Sequence, residues 1–152
     1  MEIAPTKRIV NYEDFTYIID KICQNKSVAA VDTIICIGRG GYVPGAYISH
    51  KLKVSKVYTI VTKSYNDDNT RGDFQLIQAP TLNDDDQKIL VVDDIVDSGV
   101  TFKEIKKWFS VVYPTKDVTF ASLLWKEQSV FADVVYGAVA KPDAWVVFPW
   151  ET

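Results

Sequence analysis

Apolar positions along the chain fall into two periods. Phe15, Ile18, Ile19 and Ile22 recur at helical spacing. They predict an amphipathic helix over Tyr12 to Gln24, with Asn11 as its N-cap. After Asp32-Thr33 the pattern changes to the unbroken run Ile34-Ile35-Cys36-Ile37, as expected of a strand covered on both faces. That run stops at Gly38-Arg39-Gly40-Gly41, and Pro44 then opens a second helix carrying Ala46, Ile48 and Leu52. Val57 to Val61 reads as a strand by its β-branched content. Lys88 to Val92 and Val118 to Leu124 read as further strands, with a helix from about Thr101 to Val112 between them. Val134 to Ala138 and Trp145 to Phe148 close the chain.

Strands that alternate with helices imply an α/β fold, a parallel sheet with helices on both faces. Ligands of such sheets bind beyond the carboxyl ends of the strands, where the turns Gly38–Gly41 and Asp93–Val100 fall. From Lys63 to about Asp86 the chain is polar, apart from a Phe74-Gln75-Leu76-Ile77 patch that can form a strand or hairpin. A loop of that length in a compact domain is usually a lid or a disordered segment. No repeat or interdomain linker interrupts the pattern, so residues 1–152 are expected to form one domain.

Composition narrows the function more than the fold. Forty-seven percent hydrophobic and 24% charged residues exclude a fibrous, coiled-coil or disordered chain. Seventeen Lys and Arg against twenty Asp and Glu leave a net charge of −3, which disfavours nucleic acid and acidic membranes as partners. Cys23 and Cys36 both sit among apolar residues and read as buried, reduced thiols. The N-terminus lacks a basic segment followed by an apolar run, and no stretch approaches a membrane span; a cytoplasmic location is expected.

The segment Ile89 to Thr101 carries the strongest chemistry. A buried strand ends in Asp93-Asp94, Asp97 follows, and Ser98-Gly99-Val100-Thr101 meets a helix N-terminus. Backbone N–H groups, two hydroxyls and the helix dipole there suit a phosphate. Two adjacent carboxylates would repel a bare phosphate, so they are expected to face sugar hydroxyls or Mg²⁺. The bland alternative is an acidic strand-end turn with a capping threonine. Gly38-Arg39-Gly40-Gly41 adds N–H groups and a guanidinium suited to a diphosphate. Lys126, at a strand's carboxyl end, reads either as a donor to an oxo group or as a surface lysine. Asp84-Asp85-Asp86 reads as a solvated turn, and His50, the sole histidine, as an exposed helix residue. Neither a Cys/His metal cluster nor a GxxxxGK[ST] loop occurs.

The Asp93 to Thr101 segment resembles the diphosphoribose-binding motif of the type I phosphoribosyltransferases, and the resemblance extends from about Ala30 to Glu151. It implies a Rossmann-like parallel sheet flanked by helices, with a small hood and a flexible lid loop. It implies that Asp93 and Asp94 hold the ribose hydroxyls and Mg²⁺ of 5-phosphoribosyl 1-diphosphate (PRPP), and that Ser98, Gly99, Val100 and Thr101 cradle its 5′-phosphate. Arg39 and Gly40 would belong to the diphosphate loop, which in the family often contains a non-proline cis peptide. Ser64 to Arg71 is similar to the lid of the xanthine-guanine members, with Arg71 on the diphosphate side. Asp97 would take or share a base proton, and Lys126 would donate to a 6-oxo group. The run Lys141 to Glu151 resembles the C-terminal segment of that group and of related archaeal purine enzymes. There Trp145 would stack on the purine and the backbone of Val146 would read its 2-position, with Trp150 left to packing or subunit contact. The implied activity is Mg²⁺-dependent salvage of a 6-oxopurine (guanine, xanthine or hypoxanthine) by a homo-oligomer, a dimer or tetramer. Two alternatives stand beside it: an enzyme of the same fold with another base, and a non-catalytic regulator that senses PRPP.

Overall fold

The structure, a computed structural model, describes residues 6–64 and 74–151. A six-stranded sheet forms its centre. In chain order the strands are β2 (Thr33–Gly38), β3 (Val57–Ser64), β4 (Phe74–Gln78), β5 (Lys88–Val96), β6 (Asp117–Lys126) and β7 (Val135–Ala140). Across the sheet they run β4-β3-β2-β5-β6-β7, all neighbours parallel except the antiparallel β3–β4 pair. A second sheet pairs β1 (Lys7–Ile9) in parallel with β8 (Trp145–Val147). This small sheet takes the place of the expected hood. The fold is thus the expected α/β arrangement.

Four helices complete it: α1 (Tyr12–Cys23), α2 (Lys26–Ala29), α3 (Tyr42–Leu52) and α4 (Val100–Val112). Helix α1 starts where the sequence predicts, because Asn11 and Asp14 form a reciprocal capping box. Its stripe Phe15, Ile18, Ile19 and Ile22 is buried with Ile34, Cys36, Leu90 and Val92 of the central strands. The opposite sheet face, with Ile35, Ile37, Ile89 and Val91, packs on Phe102, Ile105 and Phe109 of α4. Alternation along β2 and β5 therefore feeds two cores, which is why both strands read as continuous apolar runs. Among the described residues no helix is long and apolar enough to cross a membrane.

The crossover through α3 carries the chain from β2 outward to β3, whereas β5 lies on the other side of β2 and leads through α4 to β6. The carboxyl ends of β2 and β5 thus flank the point where the winding reverses, the usual crevice for ligands of open α/β sheets. Cys36 pairs with Val92, so the Gly38–Gly41 turn leaves the sheet beside the Asp93-Asp94 stretch of β5.

Four sequence expectations change. Strand β5 does not stop at Val92: it runs on to Val96, because β6 is equally long and pairs Ile95 with Leu124 and Val96 with Trp125. Asp93 and Asp94 are therefore strand residues rather than turn residues. The short elements β1 and α2 carry no periodic signal; one exists through its pairing with β8, the other through the Asn25 cap. Cys36 is buried and its thiol is pushed up to about 11 by that burial, but Cys23 is only half-buried. The last change concerns Asp86, which is not solvated but fully buried. Its carboxylate accepts from Thr33 Oγ1 (2.9 Å), Tyr58 OH (3.1 Å) and Asn83 N (2.8 Å), and Lys56 Nζ lies 2.7 Å away.

Against the cost of its burial, Lys56 and these donors hold the Asp86 carboxyl well below the usual carboxylate range. A depressed folded value stabilises the fold above the unfolded pKa of about 4, and that contribution is lost as pH falls further. Asp86→Ala should therefore lower unfolding free energy by roughly 2–3 kcal/mol at pH 7, since it strands buried donors. Urea titrations at pH 7 and pH 3 check this: the gap between wild type and variant should narrow at the lower pH.

Candidate active site

The site grows from the end of β5, where strict alternation breaks: Ile95 packs with the Leu90–Val92 cluster and Val96 with the Ile89–Val91 cluster. The two neighbouring carboxylates line different cavities. Asp94 lines one of about 620 Å³ with Arg39, Gly40, Trp150 and Glu151. Asp93 lines one of about 110 Å³ with Asp97, Ser98, Gly99, Thr101 and others. The strand tip separates a guanidinium-flanked hollow from a hollow at a helix N-terminus.

In the larger hollow, Gly40 is required by proximity. A Cβ there would lie 2.5 Å from the Asp94 carboxylate. Arg39 is exposed beside it, and the Gly38–Arg39 peptide is cis, as the resemblance implied for this loop. Trp150 packs edge-on to Phe15 (5.3 Å) and stacks on Phe148 (5.0 Å), and with Glu151 it forms the far wall. The sequence leaves Trp150 to packing or subunit contact and gives Glu151 no role; the wall they form arises from the C-terminal turn Pro149–Glu151, which pattern alone does not locate.

In the smaller hollow, Gly99 is the N-cap of α4 with φ +88°, the left-handed region that favours glycine. Its missing side chain lets Ser129 and Phe131 pack against the start of α4, whose first-turn N–H groups have no intrahelical acceptor and favour an anion. The loop is pinned from outside by Val130 N donating to Ser98 O (2.8 Å). Ser98 Oγ accepts from Val100 N at 3.4 Å.

Electrostatics set these hollows apart from an ordinary strand end. Burial, followed by the charge of Asp94, raises the Asp93 carboxyl well above the usual range. Burial also raises Asp94, against hydrogen bonds from its surroundings. Two crowded carboxylates of this kind gain from a cation. Their oxygens fit a hard ion such as Mg²⁺, which takes one or two protein carboxylates and completes its shell with water and phosphoryl oxygens. The described residues contain no group of three or more His, Cys, Asp or Glu side chains able to hold a metal alone, so any such ion would need ligand oxygens as well.

A third group stands at the end of β6. Lys126 is not a surface lysine: its side chain is 9% exposed, and its Nζ lies 3.5 Å from Oδ2 of Asp97, which is 64% exposed. The register explains the meeting, because Val96 pairs with Trp125 and the next residue on each strand is Asp97 or Lys126. Trp145, 66% exposed, opens β8 and is tied to β1 by Trp145 N donating to Thr6 O (2.7 Å); Val146 pairs with Arg8. The expected lid Ser64–Arg71, with Arg71, lies outside the described residues apart from the backbone of Ser64 at the end of β3.

The profile of the phosphoribosyl transferase domain family matches residues 6–152. A xanthine-guanine phosphoribosyltransferase of Idiomarina loihiensis is 30% identical over 118 residues, 78% of this chain and 70% of that protein. One from Gluconobacter oxydans is 31% identical over 121 residues, 78% of this chain and 68% of that protein. The solved xanthine-guanine-hypoxanthine phosphoribosyltransferase of Helicobacter pylori superposes with a TM-score of 0.80 at 28% identity, covering 96% of this chain and 94% of that one. A family match over residues 6–152, with relatives 30% and 31% identical that cover most of its length, makes this protein a member of the phosphoribosyl transferase domain family and an enzyme of the glycosyltransferase type.

Proposed function

We propose that the protein is a purine salvage enzyme that transfers the 5-phosphoribosyl group of PRPP to a 6-oxopurine, yielding a nucleoside monophosphate and diphosphate. The 6-oxopurine assignment rests on one observation: a nearly buried ammonium, Lys126, beside an exposed carboxylate, Asp97. An oxo group needs a donor, and an imidazole N–H next to it needs an acceptor; the two side chains offer both. Adenine would meet Lys126 with a donor of its own. The names of the relatives above point the same way.

PRPP carries a phosphate at one end and a diphosphate at the other, and the hollows lined by Asp93 and by Asp94 offer one place for each. In this reading Ser98, Gly99, Val100 and Thr101 hold the 5′-phosphate, while Arg39 and Gly40 hold the diphosphate with Arg71. Asp94 and Asp93 hold the ribose hydroxyls and would hold Mg²⁺, which when bound supplies neutralising charge to the leaving diphosphate. The bond from the anomeric carbon to the diphosphate oxygen breaks, a purine nitrogen bonds to that carbon, and the base proton passes to Asp97. An oxocarbenium-like state is expected, by analogy with glycoside chemistry. The chain's work is alignment, charge stabilisation and exclusion of water. Trp145 stacks on the base and the Val146 backbone faces its 2-position. We further infer a cytoplasmic enzyme that acts as a homo-oligomer.

The test is incubation of the purified protein with Mg²⁺, PRPP and each free base in turn. Nucleotide from guanine, xanthine or hypoxanthine is the expected outcome. Nucleotide from uracil or adenine alone would overturn the base assignment. Absence of any product, with tight binding of RNA or DNA, would replace catalysis with regulation.

A further inference from the structure

Gln128 lies two residues beyond Lys126, outside every motif singled out in the sequence. Its Nε2 is 2.9 Å from Oδ1 of Asp97 and 3.4 Å from the Pro142 carbonyl oxygen. Both partners are acceptors only, so the NH₂ end of the amide must face them. Lys126 Nζ lies 3.5 Å from the other Asp97 oxygen. Each oxygen of Asp97 thus has its own donor, one neutral and short, one charged and long.

The asymmetry matters because Asp97 sits largely exposed on the β5–α4 turn, where nothing else among these contacts orients it. Pro142 belongs to the turn Lys141–Ala144, closed by Ala144 N donating to Lys141 O (3.0 Å), immediately before Trp145. One amide therefore links the carboxylate that would take the base proton to the turn that leads to the stacking tryptophan. We propose that Gln128 is a positioning residue for the base: it fixes Oδ1 of Asp97 so that Oδ2 alone meets the purine N–H as Lys126 turns to the 6-oxo group, and it sets the height of the Trp145 turn above that carboxylate. This inference rests on the purine-transferase reading.

Gln128→Ala and Gln128→Glu separate positioning from packing. Loss of a hydrogen bond to a charged group should lower kcat/KM for the base about 10-fold in Gln128→Ala. The KM for PRPP should stay within about twofold, because the phosphate and diphosphate hollows are untouched. Gln128→Glu keeps the shape but replaces the donor with a carboxylate facing two acceptors, so it should be the worse variant, about 100-fold down. A residue that merely filled space would tolerate the isosteric change better than the truncation. Melting curves of both variants should match wild type. If Gln128→Glu equals or exceeds Gln128→Ala in activity, or if either variant changes the PRPP KM alone, the positioning role falls while the purine-transferase reading stands. If wild type makes no nucleotide from any 6-oxopurine, that reading falls and takes this inference with it.

Discussion

Replacing Asp94 by asparagine is expected to lower kcat/KM for nucleotide formation by about 10³-fold, the scale of a lost charge at a metal-assisted phosphoryl or glycosyl site. The substitution changes almost nothing else. Asparagine keeps an oxygen that can accept from Ile95 N, as Asp94 Oδ1 does at 2.7 Å. It keeps the volume that lies against Gly40. What disappears is a charge that burial makes costly, a cost that hydrogen bonds from Asp93 and the backbone offset in part. Folding should therefore be unharmed or helped, at about 2–4 °C in melting temperature for each kcal/mol of burial cost relieved in a chain of this size. Opposite signs for stability and turnover separate a functional carboxylate from a structural one. Steady-state kinetics over a Mg²⁺ titration, with a melting curve on the same preparation, reads both. Wild-type kinetics in the variant would remove Asp94 from the site. Asp93→Asn provides the contrast, because that side chain enters the smaller hollow and its loss should weigh on the ribose-phosphate end.

That contrast depends on a feature the sequence concealed. Read as a turn, Asp93 and Asp94 form one acidic pair for one ligand face. As the last residues of a strand they line different hollows while their carboxylates stay within reach of each other. The sequence pattern placed the end of β5 at Val92 because the apolar run ends there. Its true end depends on β6, whose length supplies the partners for Ile95 and Val96. The turn Ser98–Thr101 into α4 was legible, since its glycine, hydroxyls and helix start are contiguous. So was the Asn11 cap, which is complete within four residues.

What could not be read is what distant segments build together. The Asp86 network draws on Thr33, Lys56, Tyr58 and Asn83, and nothing in an Asp-Asp-Asp run marks its third member as buried. The sequence alone leaves Lys126 between surface and site; the β5–β6 register puts it beside Asp97. Gln128 spans from the β5–α4 turn to the turn before β8, and Trp150 and Glu151 reach the larger hollow only through the final turn of the chain. Local chemistry announces itself in sequence; a hydrogen bond between residues far apart in the chain does not.

Gly99→Ala should raise the KM for PRPP about 10- to 100-fold, through two separate penalties whose sum exceeds what the loop can absorb. The first is conformational: an L-residue at φ +88° costs about 1–2 kcal/mol. The second is steric, since the new Cβ would lie 2.4 Å from Ser129 Oγ and 2.7 Å from Phe131 N. The hydroxyl can swing away; the backbone nitrogen cannot without moving the segment whose Val130 N–H holds Ser98 O. Relief must then come from the turn itself, which carries the N-terminal amides of α4 off their line to the phosphate. Adding Ser129→Ala distinguishes the two contacts: it removes the nearer clash and leaves the Phe131 contact and the backbone strain. The double variant should therefore recover only part of the lost PRPP affinity. Base KM should move less than PRPP KM in either variant, because Lys126 and Trp145 lie on other elements and only Asp97 shares the turn. Full recovery by Ser129→Ala would locate the damage in one hydroxyl and not in the turn, and an unchanged PRPP KM in Gly99→Ala would dissociate this turn from phosphate binding.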